Sequence, residues 1–225
     1  IRPATRINSG QTPESTTDDF FFVERTDPER ALSTVVELVS SRMPARFGLD
    51  PMRDSQVLSP MHRGALGVAS LNEALQAALN PSGRPAPRRN FREGDRVIQL
   101  RNNYDLDVFN GDMGRVSGID EDASTLRVDF DGRPVAYSFD ETDELALAYA
   151  ITVHKSQGSE YPAVILPMVP QHFMLLQRNV FYTAVTRAKK LVVIVGDPKS
   201  MRRAIGNTTV TRRHTRLAER LKNAI

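Results

Sequence analysis

The sequence predicts an α/β domain interrupted by a small β-barrel. Three observations lead there. Unbroken apolar runs near both ends, Phe20-Phe-Phe-Val-Glu24 and Leu191-Val-Val-Ile-Val195, read as buried strands. Segments with helical apolar spacing stand between such runs. Over residues 91–146 the pattern changes to short strands separated by turn residues.

Taken in order, residues 1–13 read as the tail of a helix running into a loop, and Phe20 opens the first strand. Asp27-Pro28-Glu29 is a helix start: the carboxylate caps free amides, and proline sits in the first turn, where its missing N–H is not needed. Ala31, Leu32, Val35, Val36, Leu38 and Val39 keep helical spacing to about Ser41. Residues 54–59 read as the next strand. Residues 64–79 read as a helix with Leu66, Leu71, Leu75 and Leu79 on one face. A linker with three prolines and one glycine fills 80–87. Strands follow at 96–100, 113–118, 125–130 and 134–139, set apart by Asn110-Gly111, Gly118 and Asp131-Gly132. Close spacing of short strands predicts a small antiparallel barrel. Beyond it, 163–166 is a buried strand, 171–188 is broadly helical, and 191–195 ends at Gly196-Asp-Pro198. Basic helices over 199–205 and 211–222 close the chain. The expected division is therefore 1–90, 91–146 and 147–225.

Composition excludes several classes. The 225 residues contain no cysteine, so disulfides and cysteine-ligated zinc are ruled out, and the four histidines lack metal-ligand spacing. No metal site is expected. No apolar run approaches the roughly 20 residues that span a bilayer. A start at Ile1 without a signal peptide reads as a cytoplasmic protein and one piece of a longer chain. The formal charge is only +3, but from Arg187 to Lys222 eleven Lys or Arg face two acidic residues, Asp197 and Glu219. Such an end suits a polyanion, although a solvated helix face has the same composition.

Two polar clusters beside apolar runs carry the chemistry. One is Tyr149-Ala-Ile-Thr-Val-His-Lys-Ser-Gln-Gly-Ser-Glu-Tyr-Pro162. Ile151 and Val153 alternate with Thr152 and His154, so a strand end can present those two on one face, and the Gly158 turn would then aim the following backbone at a cleft. The other is Asn179-Val-Phe-Tyr-Thr-Ala-Val-Thr-Arg-Ala-Lys-Lys190, with Arg187 just before a strand. A third segment, Ser59-Pro-Met-His-Arg-Gly64, puts Arg63 at the expected helix start, where charge, helix dipole and free amides would converge on a phosphate. His62 and Asn72 add hydrogen-bonding groups nearby. No Gly-x-Ser-x-Gly elbow accompanies the His, Ser and Glu residues, which argues against hydrolase chemistry. A phosphate loop, Gly-x-x-x-x-Gly-Lys-Ser/Thr, is also absent from the sequence.

Both clusters resemble the last two motifs of superfamily-one helicases in their RecD-like form, the exodeoxyribonuclease V alpha-subunit type. Residues 94–104 with 109–116 resemble that family's SH3-like insertion. The resemblance implies a RecA-like, P-loop-NTPase-type motor lobe, a parallel sheet flanked by helices, interrupted by an SH3-like barrel. It implies 5′ to 3′ translocation on single-stranded DNA driven by ATP and Mg2+, whose main ligands would lie in an N-terminal lobe of the same parent. By the resemblance, Arg187 is an arginine finger for the γ-phosphate, and Gln157, Gly158 and Glu160 lie on the nucleotide side. Arg63, His62, Asn72, Thr152, His154, Lys155 and Ser156 are the implied DNA contacts. Nuclease or helicase subunits are further implied partners; a membrane is not. Two alternatives stay open at this point: a nucleic-acid-binding module without a motor, and the helicase part of a conjugative relaxase.

Overall fold

Five parallel strands in the order β1-β10-β9-β2-β8 form the main sheet: β1 (Phe20–Glu24), β2 (Ser55–Ser59), β8 (Ala150–Thr152), β9 (Tyr161–Met168) and β10 (Ala188–Gly196). The structure is a computed structural model and describes residues 2–15, 18–87, 89–172 and 177–208. Helices cover both faces because the central strands are apolar on both. Val192 and Ile194 pack with Phe181, Ala184, Met201 and Ile205, from α5 (Arg178–Thr186) and α6 (Pro198–Gly206), and with Ile7 of α1 (Arg2–Asn8). Leu191, Val193 and Val195 point the other way, into a core shared with Ala31 and Val35 of α2 (Pro28–Glu37) and Leu71 and Leu75 of α4 (Val68–Leu79). Each fully buried Val, Leu, Ile, Phe or Met among them contributes about 1.5–3 kcal/mol.

Local chemistry sets several boundaries. Asp27 caps α2 by accepting from Arg30 N at 2.8 Å, and Asp197 caps α6 by accepting from the amides of Lys199 and Ser200. Gly196 is required where β10 ends: a Cβ there would meet the Met168 carbonyl oxygen at 1.9 Å.

Two helix boundaries differ from expectation. The helix after Asp27 does not stop near Ser41. A π-helical turn over Leu38–Arg42 carries it into α3 (Met43–Phe47), which Gly48 ends in a left-handed conformation at φ 65°. The wide turn lets Pro44, which lacks an N–H, enter at the start of α3. The second helix begins at Val68 rather than Gly64, because residues 64–67 form a turn.

The inserted sheet is antiparallel in the order β6-β5-β4-β3-β7: β3 (Arg96–Gln99), β4 (Met113–Asp120), β5 (Thr125–Phe130), β6 (Arg133–Ser138) and β7 (Leu145–Leu147). It has its own core of Phe91, Val97, Val116, Leu126, Val128 and Tyr137. β7 is an addition to the expected strands, reached through a 3-10 turn over Phe139–Glu144 that Ser138 and Glu141 close as a capping box. Within the expected helical stretch 171–188, α5 occupies 178–186, and 173–176 fall outside the described residues. The expected basic helix 211–222 also lies outside them. Among the described residues, no helix is long and apolar enough to cross a membrane.

Candidate nucleic-acid groove and nucleotide-facing edge

A groove of about 1040 Å3 runs between α4, the barrel strands β3 and β7, and the edge strand β8. Of the expected DNA contacts, His62, Arg63, Asn72, Thr152 and Lys155 line it. Its other cations are Arg89 and Arg92, and its one carboxylate is Glu73. The volume lies at the upper end for small-molecule pockets, and the charged side chains on its wall are mostly cationic. Burial pushes the Lys155 ammonium below its usual pKa range, so an anion beside it would favour its charged form.

The loop after β2 is shaped by Ser59. Its hydroxyl donates to Leu66 O at 2.7 Å and accepts from Met61 N at 3.3 Å, holding 60–67 in a turn that leaves His62 and Arg63 exposed. That turn corrects the expectation for Arg63. The first amides of α4 are not free, since Val68 N donates to Met61 O and Ala69 N to His62 O. Arg63 therefore offers its own charge to the groove without a helix N-terminus behind it.

Two other expectations change on burial. Asn72 is buried, and both ends of its amide serve the main chain of Ala150: Nδ2 donates to Ala150 O at 2.9 Å, and Oδ1 accepts from Ala150 N at 2.8 Å. It holds the edge strand in place. Ser156 is fully buried, and its hydroxyl donates to Val153 O at 2.7 Å, so it shapes the turn from inside. The expected alternation of Thr152 and His154 stops at Val153. The chain turns there; Thr152 stays in the groove wall, whereas His154 is exposed and is not among the lining residues.

Segment 153–160 then crosses the sheet. It leaves β8 beside Ser59, at the C-terminal edge, and enters β9 at Tyr161, paired with Ala188 at the N-terminal edge. Gln157, Gly158 and Glu160 are exposed along it. Gly158 has φ 90°, a left-handed conformation that glycine adopts freely. Glu160 pairs with Lys189 at 3.2 Å across an exposed surface. Arg187 is the C-cap of α5 and is half-buried. Its Nη1 donates to Ser159 O at 3.1 Å, and its own carbonyl accepts from Tyr161 N at 2.8 Å. Its Nε is buried with no hydrogen-bond partner. Arg187 and the exposed Lys189 and Lys190 thus lie at the start of β10, with Glu160 paired to Lys189. Among the described residues, no cluster of His, Cys, Asp or Glu could hold a metal ion.

The sequence pattern missed Asp95 and Tyr161. Asp95 follows Gly94 and reads as a turn residue, yet it is fully buried. Tyr161 reads as the first residue of a strand, and only its neighbours, Glu160 and the distant Arg187, suggest more.

Two family descriptions match: "ATP-dependent RecD-like DNA helicase SH3 domain" over residues 71–130 and "UvrD-like helicase C-terminal domain" over 147–195. The ATP-dependent RecD2 DNA helicase of Deinococcus radiodurans is 38% identical over 169 residues, 74% of this chain and 23% of that protein. The RecBCD enzyme subunit RecD of Mycobacterium tuberculosis is 31% identical over 198 residues, 84% of this chain and 34% of that protein. Bacteroides Pif1, solved bound to ssDNA, covers 100% of this chain and 53% of its own, with a TM-score of 0.54 and 17% identity, a likeness of fold alone. The chain spans about a quarter to a third of the length of these curated relatives. With the parallel sheet, the SH3-like insertion and both helicase descriptions falling on one chain, it belongs to the RecD-like superfamily-one helicases and corresponds to their C-terminal region.

Proposed function

We propose that this chain is one of two lobes of an ATP-dependent motor that translocates 5′ to 3′ along single-stranded DNA. The carrying observation is the cationic groove, with Arg63, Arg89, Arg92 and Lys155 set against the single carboxylate Glu73. A groove of that charge fits a sugar-phosphate backbone and favours it electrostatically. Thr152 and His62 add hydrogen-bonding groups on the same wall, and His154 lies just beyond it. In this reading Arg187 aims its permanent charge at the phosphates of a nucleotide held between the two lobes, with Gln157, Gly158 and Glu160 beside it. Comparable arginine fingers contribute roughly 10³ to 10⁵ in rate. Bound ATP with Mg2+ supplies the phosphoryl-transfer free energy; the phosphate loop and magnesium ligands belong to the N-terminal lobe of the parent.

Segment 153–160 touches both regions, so a shift at one end displaces the other. Residues 1–90 and 147–225 would be the two parts of the lobe, and 91–146 the SH3-like insertion. A cytoplasmic location and nuclease or helicase partner subunits fit the same reading. The test is DNA-stimulated ATP hydrolysis by the full-length protein, wild type beside Arg187→Ala. Turnover that is stimulated in the wild type and lost in the variant, with DNA affinity kept within a few-fold, supports the motor. Equal turnover in both removes Arg187 from the nucleotide site, and absent turnover in both favours a binding module.

A further inference from the structure

Three side-chain polar atoms among the described residues are buried without a hydrogen-bond partner: Ser55 Oγ, Tyr161 Oη and Arg187 Nε. The last two belong to adjoining strand starts. Tyr161 pairs in register with Ala188, and its amide donates to the carbonyl of Arg187 at 2.8 Å. A buried unpartnered donor and a buried unpartnered hydroxyl each cost free energy, so their occurrence in neighbouring residues calls for an explanation.

The surroundings of Tyr161 narrow the choice. Its ring is buried, and that burial pushes the phenol up, while the charges of Arg96 and Arg187 act in the opposite direction. The Ser159 hydroxyl lies close enough to act the same way without closing a hydrogen bond of good geometry. Arg96 is already committed: Nη1 donates to Ser55 O at 2.8 Å and Nη2 to Gln56 Oε1 at 2.7 Å. Arg187 is held at one point only, through Nη1 on Ser159 O, and its Nε is unused.

We propose that Tyr161 is a positioning residue for Arg187, its hydroxyl accepting from Nε–H when the guanidinium leaves Ser159 O to meet a phosphate. This rests on the assignment of Arg187 to the nucleotide site. The arrangement seen is then a parked one, with two hydrogen-bonding groups unsatisfied. The engaged one satisfies both and leaves the outer nitrogens of the guanidinium for the ligand. Pairing the orphans biases the side chain toward its working position without adding any contact to the ligand itself. Such a residue acts on the rate and leaves ground-state binding alone.

The test uses the full-length protein in four forms: wild type, Tyr161→Phe, Arg187→Lys and the double variant, with ATP turnover measured on saturating single-stranded DNA. Phenylalanine keeps the buried ring. Lysine keeps the charge but has no Nε–H on a guanidinium. Tyr161→Phe is expected to lower kcat about tenfold, the effect of one hydrogen bond, with KM for ATP and DNA affinity within about twofold. In the Arg187→Lys background the same change is expected to have no effect beyond about twofold, because the partner is already gone. A wild-type kcat in Tyr161→Phe overturns the proposal, and so does an equal tenfold loss in both backgrounds, which would mark a general structural role. A thermal midpoint lowered in both tyrosine variants together with equal losses of kcat counts the same way. If Arg187→Lys alone turns over at the wild-type rate, the assignment of Arg187 to the nucleotide site fails, a result distinct from failure of the tyrosine alone.

Discussion

The hydroxyl of Tyr149 donates to Oδ1 of Asp95 at 2.8 Å, and through this bond the strand leading back into the parallel sheet holds the segment leading into the barrel. Asp95 is fully buried and accepts three more hydrogen bonds, from Gln76 Nε2 at 2.6 Å, Asn80 Nδ2 at 2.7 Å and Arg92 N at 2.7 Å. The carboxylate thus joins α4, the linker and the barrel at one point. Hydrogen bonding to Asp95 and its negative charge reinforce the effect of burial, which pushes the Tyr149 phenol upward.

Removing the carboxylate leaves four donors without their acceptor, whereas removing one donor leaves the others in place. Asp95→Ala is therefore expected to destabilise the protein by about 3 kcal/mol and Tyr149→Phe by about 1 kcal/mol. Denaturant unfolding of both variants and of the double variant checks this. The double variant should be no less stable than Asp95→Ala within about 0.5 kcal/mol, since the two changes delete the same bond.

Asn72 gives a second stability prediction. Without its amide, the N–H and C=O of Ala150 lose their partner at the sheet edge, at a cost of about 1–3 kcal/mol for Asn72→Ala. Asn72→Asp retains the acceptor for Ala150 N and loses the donor, so its stability should not exceed that of the wild type in the same unfolding experiment. Thr152 follows two residues later in the groove wall, and DNA binding should weaken in both variants because the edge strand is displaced.

Arg63 and Lys155 bear on the groove directly. Arg63→Ala and Lys155→Ala are each expected to lower affinity for single-stranded DNA and to reduce the slope of log K against log salt by about 0.7, the value for one phosphate neutralised. Binding isotherms at a series of salt concentrations measure this. An unchanged slope would take that residue off the DNA path.

The barrel carries a pH dependence of its own. A hydrogen bond from Asn103 is the main influence holding the Glu144 carboxyl below its usual range; burial opposes it, and Gln99 and the charge of Arg101 assist it. A lowered pKa means that the folded state favours the ionised form. The stabilisation is therefore complete above the ordinary carboxylate range and is lost as pH falls through the lowered value. Thermal midpoints should hold from neutral pH to about pH 5 and decline below about pH 4. Glu144→Gln should be less stable at neutral pH and show a shallower acid decline.

What could be read from the sequence was what depends on near neighbours. Asp27-Pro28 caps a helix in the structure as local chemistry requires, and the runs at 20–24 and 191–195 are strands because apolar residues face both helical layers. The start of α4 was not legible, because carbonyls of Met61 and His62 satisfy its first amides, and that depends on how the Ser59 hydroxyl folds the loop. Within the site, the resemblance named Arg63 and Lys155, and both line the groove. The inward turn of Asn72 and Ser156 could not be read, because a polar residue at helical or turn spacing looks the same whether it meets water or a buried carbonyl. The Ser138–Glu141 capping box was a usable signal for the turn before β7.

The barrel is joined to the sheet by two chain crossings that lie side by side. β3 and β7 are hydrogen-bonded neighbours, and Ala148 N donates to Arg96 O at 2.9 Å. The outgoing and returning segments are thus about one strand spacing, roughly 4.8 Å, apart. This makes the junction a graft point. An insert of any length whose ends meet that spacing could be received between α4 and β8 without displacing a strand of the parallel sheet. Its size and outer surface are therefore free to diverge while the lobe beneath keeps its form.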